Sequence, residues 1–320
     1  MNKILITGYG GFVGGHLAPE ILKRFPGAAV VGAGKKAGNN PDPSVYFEEC
    51  NFLDFVNVYE ILDKHKPDFI FHLSAESSVA SSWHNPSNMI TNNVNSQLNL
   101  FEALRKIGLS KCRVIIAGSS EEYGDVAESD LPVTEECSLK PLSSYAVSKI
   151  GQDLLAYQYF RSYSMDVVRV RCFNLAGPGQ ASRYVLSSFA RQIAEIEHGL
   201  NPSNVISVGN LNVVRDYMDV RDAVNYYIDI ALNGKTGEVY NLCHGMPHEL
   251  NELVKMMIAI SGTNIELRPD ASKMRPSDIK TIYGDNSKLK KISDYQPRYH
   301  IEQTLRDLLE YWRLAVKNRN

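Results

Sequence analysis

Long apolar runs, blocks of like charge and paired cysteines are missing from this chain, and each absence removes a class of function. No apolar stretch approaches the roughly 20 residues that cross a bilayer, so no membrane partner is expected. Lys and Arg total 34 against 36 Asp and Glu, a net charge of −2 with both signs dispersed. A nucleic-acid partner would need a basic block, and none is present, so an anionic ligand must be held by local groups. The five cysteines, at 50, 112, 137, 172 and 243, are odd in number and far apart. That spacing argues against a disulfide framework or a CxxC metal site. His244 and His248 are four apart, but Pro247 between them breaks a shared helical face, so both read as loop residues and no metal is expected. In the opening MNKILITGYGGFVGGHL, glycines interrupt the apolar run after four residues and no small-residue cleavage site follows, which makes the cytoplasm the expected location.

What is present is alternation. Apolar residues make up 44% of the 320, enough for one large core or two closely joined ones. Lys3–Thr7 reads as a buried strand, followed by glycines and a helix to about Phe25. Ala29–Gly32, Val45–Cys50 and Phe69–Leu73 read as strands, with helical spacing over Val56–Lys64. A long helix over Asn88–Ile107 precedes the strand Arg113–Ala117, and a helix over Ser144–Ser164 precedes Asp166–Arg171. Strands alternating with helices predict an α/β fold with a doubly wound parallel sheet and right-handed crossovers. After Phe173 the segments become shorter and mixed. Val220–Leu232 reads as a helix returning to the first half, Glu238–Leu242 as a further strand, and Leu250 onward as two or three helices around the loop RPDASKMRPSD. The expectation is a Rossmann-type domain over 1–173, to which 213–243 returns. A smaller mixed α/β region of 174–212 and 244–320 then forms a cleft against the sheet edge.

Gly8, Gly11 and Gly14 give GxxGxxG between the first strand and the first helix. Glycines there let the backbone turn tightly and approach a pyrophosphate seated on the positive helix N-terminus. The second strand ends VVGAGKKAGNN with no acid for ribose hydroxyls, and Lys35 and Lys36 stand where a 2′-phosphate would lie. An ammonium pairs with that phosphate and a carboxylate repels it, so NADP(H) is preferred and NAD(H) stays open. Asn51 and Phe52 follow the third strand, where such folds meet adenine.

Tyr145 and Lys149 form YxxxK, a spacing that puts both on one helix face about 5–6 Å apart at Cβ. An ammonium beside a phenol favours the phenolate, predicting a lowered pKa and a usable acid/base. GSSEEYG, residues 118–124, follows a strand at the carboxyl edge where open sheets bind ligands. Ser119 there suits a hydrogen bond to a substrate oxygen, and Glu121 suits proton transfer at a neighbouring carbon.

Together ITGYGGFVGGHL, FHLSAESSV, GSSEEYG, PLSSYAVSK, RCFNLAGPGQ, VRDYMDVRD and MRPSD resemble the extended short-chain dehydrogenase/reductases over nearly the full length. Within them the chain is most similar to the GDP-mannose branch, the 4,6-dehydratases and the GDP-4-keto-6-deoxy-D-mannose reductases, and nearest the reductases. The resemblance implies Tyr145 as catalytic acid, Lys149 as its partner, Ser119 polarising the sugar C4 oxygen and Glu121 matching the dehydratase general base. Ser120 stands where dTDP-glucose dehydratases carry an Asp. It implies cofactor contacts at Phe12, Val13, Leu73, Ser74 and Ala75 beside the glycines, and substrate contacts at Ser77, Ser120, Glu121, Asn174, Gly209 and Asn210. Arg215 and Arg275 resemble a diphosphate clamp, for which a guanidinium fork is suited, with Asp278 on the nucleoside ribose. The implied reaction is reduction of a GDP-4-keto-6-deoxy sugar to GDP-D-rhamnose, with 4,6-dehydration and C4 epimerisation as alternatives, in a homodimer.

Overall fold

A computed structural model of the chain describes residues 2–38, 41–273 and 279–318. In chain order the first half runs β1 (Lys3–Thr7), α1 (Phe12–Arg24), β2 (Ala29–Gly34), β3 (Tyr46–Glu49), α2 (Phe55–His65), β4 (Phe69–His72), α3 (Val79–His84), α4 (Pro86–Ile107), β5 (Arg113–Ala117), α5 (Ser144–Tyr163) and β6 (Val167–Cys172). The second half adds β7 (Asn174–Ala176), α6 (Val185–Glu197), β8 (Val205–Val208), β9 (Val214–Asp219), α7 (Val220–Asn233) and β10 (Val239–Leu242). It closes with β11 (Pro247–Glu249), α8 (Leu250–Ser261), β12 (Glu266–Pro269), β13 (Thr281–Ile282), α9 (Ser287–Lys290) and α10 (Ile301–Lys317).

Seven strands form one parallel sheet in the order β10-β6-β5-β4-β1-β2-β3. Its central strands are apolar on both faces, as a sheet covered on both sides requires: in β1, Ile4 and Ile6 join one buried cluster and Leu5 the other. One face carries α1 and α7, and the opposite face α2, α4 and α5. Strand order reverses between β1 and β4, so the carboxyl ends there open the crevice in which such sheets hold ligands.

Local chemistry sets the helices around that crevice. Asn85 caps α4 by accepting from Asn88 N, Pro86 occupies the first turn, and Gly108 ends the helix in the left-handed region at φ 81°. Ser143 caps α5 by accepting from Ala146 N at 3.1 Å. The two helices pack closely, since a Cβ on Gly151 would stand 3.0 Å from Val94.

A third buried cluster, from α6, β8, α8 and α10, includes Phe189, Ile193, Leu253, Leu308 and Trp312. The stretch around 287–299 lies apart from this cluster and packs on the first half. Leu289 packs into the first core, and the Asp222 carboxylate on α7 accepts from Tyr295 OH, Arg298 N and Tyr299 N. His248 departs from its expected loop, lying in β11 opposite Arg215 of β9. Strand β2 runs past Gly32 because Gly34 still pairs with β3 and its carbonyl accepts from Cys50 N. The short helix α3 has too few apolar residues to show a period and is started by the Ser78 hydroxyl cap. Among the described residues no helix is long and apolar enough to cross a membrane.

Candidate active site

Two features of the crevice follow from glycine. Gly8 turns at φ +69° and donates its N–H to Ala33 O at 2.8 Å, while a Cβ on it would meet Ser74 N at 2.9 Å. A Cβ on Gly14 would stand 2.6 Å from Tyr9 O and 2.8 Å from Gly8 O. The turn is therefore closed to side chains. Gly11 caps α1 without any side-chain hydrogen bond, leaving the first-turn N–H groups for an anion. Phe12 and Val13 open that first turn, both half-buried. Gly10, outside the GxxGxxG pattern, is as constrained, since a Cβ there would run into the Lys36 carbonyl.

Beside this turn lies a cavity of about 200 Å³ lined by Lys35, Asn51, Phe52, Ser74, Ala75, Glu76, Asn92 and Ser96, among others. Four residues expected to touch a cofactor thus share one wall with Lys35. Lys36 is exposed and its side chain is not part of that lining. Leu73 continues the β4 end, its N–H donating to Thr7 O at 3.3 Å. Asn92 and Ser96 were not anticipated. Their signal was the polar run NNVNSQ inside a helix that buries one face against a sheet.

At the end of β5 the chain enters a single 3-10 turn, Ser120–Glu122, capped by Ser119. The Ser119 hydroxyl accepts from Glu121 N at 3.2 Å and acts on the Tyr145 phenol, favouring its ionised form. Ser119, Tyr145 and Lys149 are 7%, 8% and 4% exposed, so the expected trio is brought together and largely shielded from water. Glu121 is half-buried beside it, Ser120 is buried, and the charge on Glu121 acts on the phenol.

The electrostatics correct one expectation. The Lys149 ammonium donates to Ala117 O at 2.8 Å and Gln152 Oε1 at 2.9 Å, and lies 6.0 Å from the Tyr145 ring centre. Burial dominates at the phenol and pushes its pKa up from the ordinary tyrosine value, opposed by the Ser119 hydroxyl. The same burial pulls Lys149 down to about 8, opposed by the Glu122 charge. Tyr145 in the protein alone is thus a protonated acid rather than a ready phenolate.

On the far side of the crevice, Ser77 and Tyr184 share a hydrogen bond at 2.5 Å. Asn174 in β7 pairs with Tyr217 of β9, the strand that carries Arg215. Arg215 is 8% exposed and donates to Val214 O at 3.0 Å. Gly209 follows β8, where a Cβ would come 2.7 Å from Lys273 O, and Asn210 next to it is exposed and accepts from Asn212 N. Arg275 and Asp278 lie outside the described residues.

Over residues 5–308 the chain matches the model of the GDP-mannose 4,6-dehydratase family. It is 31% identical over 316 residues, 99% of each chain, to GDP-6-deoxy-D-mannose reductase of Pseudomonas aeruginosa. To GDP-mannose 4,6-dehydratase of Yersinia enterocolitica it is 26% identical, covering 97% of this chain and 93% of that one. The structure of RMD from Pseudomonas aeruginosa complexed with NADPH superposes with a TM-score of 0.84 at 29% identity, across 98% of this chain and all of the other.

Proposed function

Because the chain belongs to the GDP-mannose 4,6-dehydratase family, an extended short-chain dehydrogenase/reductase, we propose that it is a reductase taking GDP-4-keto-6-deoxy-D-mannose to GDP-D-rhamnose with NADPH. The observation that carries this reading is the buried Ser119–Tyr145 hydroxyl pair, with the phenol held in its protonated form beside Lys149. Reducing a ketone needs a donor to its oxygen and then a proton for the oxyanion, and a protonated phenol supplies the second. Full-length similarity to a GDP-6-deoxy-D-mannose reductase supports the same direction.

The glycine turn, the uncapped α1 N-terminus and the Lys35 cavity suit a dinucleotide, and the NADPH in the RMD structure supports NADP(H), with NAD(H) open. When bound, that cofactor supplies the hydride for sugar C4. Ser119 donates to the ketone oxygen and Tyr145 passes its proton to it. Lys149, one turn along α5, balances the charge left on the phenolate. Asn174, Gly209, Asn210 and Arg215 line the substrate side of this reading, with Ser77 and Ser120 nearer the sugar.

Incubation with the keto sugar and NADPH tests the proposal: one NADPH is consumed per sugar, followed by absorbance, and GDP-mannose alone is left unchanged. Glu121 favours a second reading, 4,6-dehydration, because its charge acts on the phenol from the neighbouring turn. Conversion of GDP-mannose with no net cofactor change would decide for that reading and against reduction.

We assign the 2′-phosphate to Lys35, which lines the cavity, rather than to Lys36, which does not. Lys35→Ala should weaken NADPH binding by about tenfold, the roughly 1.4 kcal/mol of one charge-assisted contact, and NADH little. Equal losses for both cofactors in a fluorescence titration would remove the phosphate from this site. Lys36→Ala should change neither.

We infer a homodimer as well, cytoplasmic in location. Helix α5 exposes Val147, Leu154 and Tyr157 while burying Tyr145 and Lys149, and α4 exposes Ile90 and Leu98 alongside. A surface of that kind is expected to be covered. Sedimentation should give twice the chain mass, and Leu154→Arg should halve it. A wild-type protein sedimenting at one chain's mass ends this inference.

A further inference from the structure

Behind Ser119 lies a carboxylate that the reaction as drawn does not use. Glu122 is fully buried, and its Oε1 accepts from Ser119 N at 2.7 Å. Its Oε2 accepts from Arg171 Nε of β6 at 3.2 Å, and Arg171 Nη2 donates to Asp153 Oδ2 of α5 at 2.7 Å. Asp153 also accepts from Arg169 Nη1 at 2.8 Å. Asp153 stands one turn beyond Lys149 on the same helix.

Three observations tie this chain of charges to the reacting groups. Glu122 and Lys149 anchor on one short backbone stretch, Lys149 at Ala117 O and Glu122 at Ser119 N. Gly118 between them must lack a side chain, because a Cβ there would run into Glu122 Oε1 and come 2.8 Å from Val170 O. Arg171 then joins the turn bearing Ser119 to the helix bearing Tyr145 and Lys149, through Glu122 on one side and Asp153 on the other.

We propose that Glu122 is a positioning residue of the active site, fixing the Ser119 backbone and supplying the buried negative charge that Lys149 faces. A buried ion pair is weak evidence of stability for its own sake, since replacing it by apolar groups is often neutral. Its place between the two halves of the machinery is what gives it a role. The inference rests on the assignment of Ser119, Tyr145 and Lys149 to the chemistry.

The charge leaves a mark in the pH profile. Around Lys149 stand Tyr145 on α5, Glu122 from the turn, Cys172 on β6 and His72 on β4, while Asp153 on α5 and Arg171 on β6 act on Glu122. Burial lowers Lys149, and Glu122 leads the influences that raise it. Burial and the Asp153 charge push Glu122 itself up to about 8 against the pull of Arg171, so its charge is present toward the alkaline limb, where Lys149 titrates. Without that carboxylate the ammonium loses its proton at lower pH, so the alkaline fall in kcat moves toward acid.

Glu122→Gln keeps an oxygen for the Ser119 amide and removes only the charge. Measured on whichever of GDP-mannose or the keto sugar the wild-type enzyme turns over, its kcat should drop about tenfold or more at pH 8, with KM for NADPH within about twofold. The alkaline limb should move down by at least about half a pH unit. Glu122→Asp, which keeps the charge but draws it back from Ser119, should lose rate while retaining the wild-type limb. If Glu122→Gln does not fold, Glu122→Gln/Arg171→Met removes both charges together and is held to the same two readouts. A folded variant with wild-type kcat and an unmoved limb overturns the proposal. A wild-type enzyme that leaves the keto sugar untouched and converts GDP-mannose overturns the reductase reading instead, and leaves this comparison standing.

Discussion

Tyr145→Phe should lower kcat by about 10²–10⁴-fold, the range for loss of a positioned general acid, while NADPH binds with nearly wild-type affinity. The phenol is buried and feels the Ser119 hydroxyl, so the substitution removes one hydroxyl from a site that keeps its shape. The ring stays where it is, with the Lys149 ammonium 6.0 Å from its centre and still held by Ala117 O and Gln152 Oε1. Steady-state rates and a fluorescence titration with NADPH separate the two effects. Turnover within a few-fold of wild type would take Tyr145 out of the mechanism, and the hydroxyl pair with it.

Gly14→Ala should be as damaging by another route. The added carbon would stand 2.6 Å from Tyr9 O, 2.7 Å from Tyr9 Cα and 2.8 Å from Gly8 O, all backbone atoms with no rotamer to yield. Overpacking of this kind costs about 1–3 kcal/mol, and here the turn itself must move. If that turn cradles the pyrophosphate, NADPH affinity should fall by about 100-fold or more, the equivalent of roughly 2.7 kcal/mol, with a lower melting temperature. Gly15→Ala is the control, since a Cβ there meets nothing within 4 Å. A Gly14→Ala protein that binds NADPH like wild type would show that the cofactor lies elsewhere.

The features legible in the sequence were those whose partners are close along the chain. Lys3–Thr7 is a strand because five residues in a row suit a doubly covered sheet, and Tyr145 and Lys149 share a helix face by spacing alone. The acidity of the phenol was misread for the complementary reason. Spacing places an ammonium near the ring but says nothing of burial, and burial decides the sign. The same limit hid Glu122, whose meaning depends on Arg171, 49 positions away. It hid the packing of 295–299 onto Asp222, some 73 to 77 positions apart. Asn92 and Ser96 were within reach, because asparagines on the inner side of a long helix are costly unless they serve something. Phe52 and Asn51 could be placed by order along the fold, and they do share a wall with Lys35.

The Lys36 carbonyl against Gly10 makes the cofactor turn and the end of β2 mechanically one piece, with Gly38 N also close by. Redesigning this enzyme toward NADH is therefore not a modular exchange. The side chain at 35 takes no part in that backbone contact and can be exchanged without pressing on Gly10. If the glycine turn seats the pyrophosphate as proposed, grafting a foreign loop over 36–38 would press on Gly10 and distort that seat for either dinucleotide, so selectivity gained that way would come with weaker binding of both.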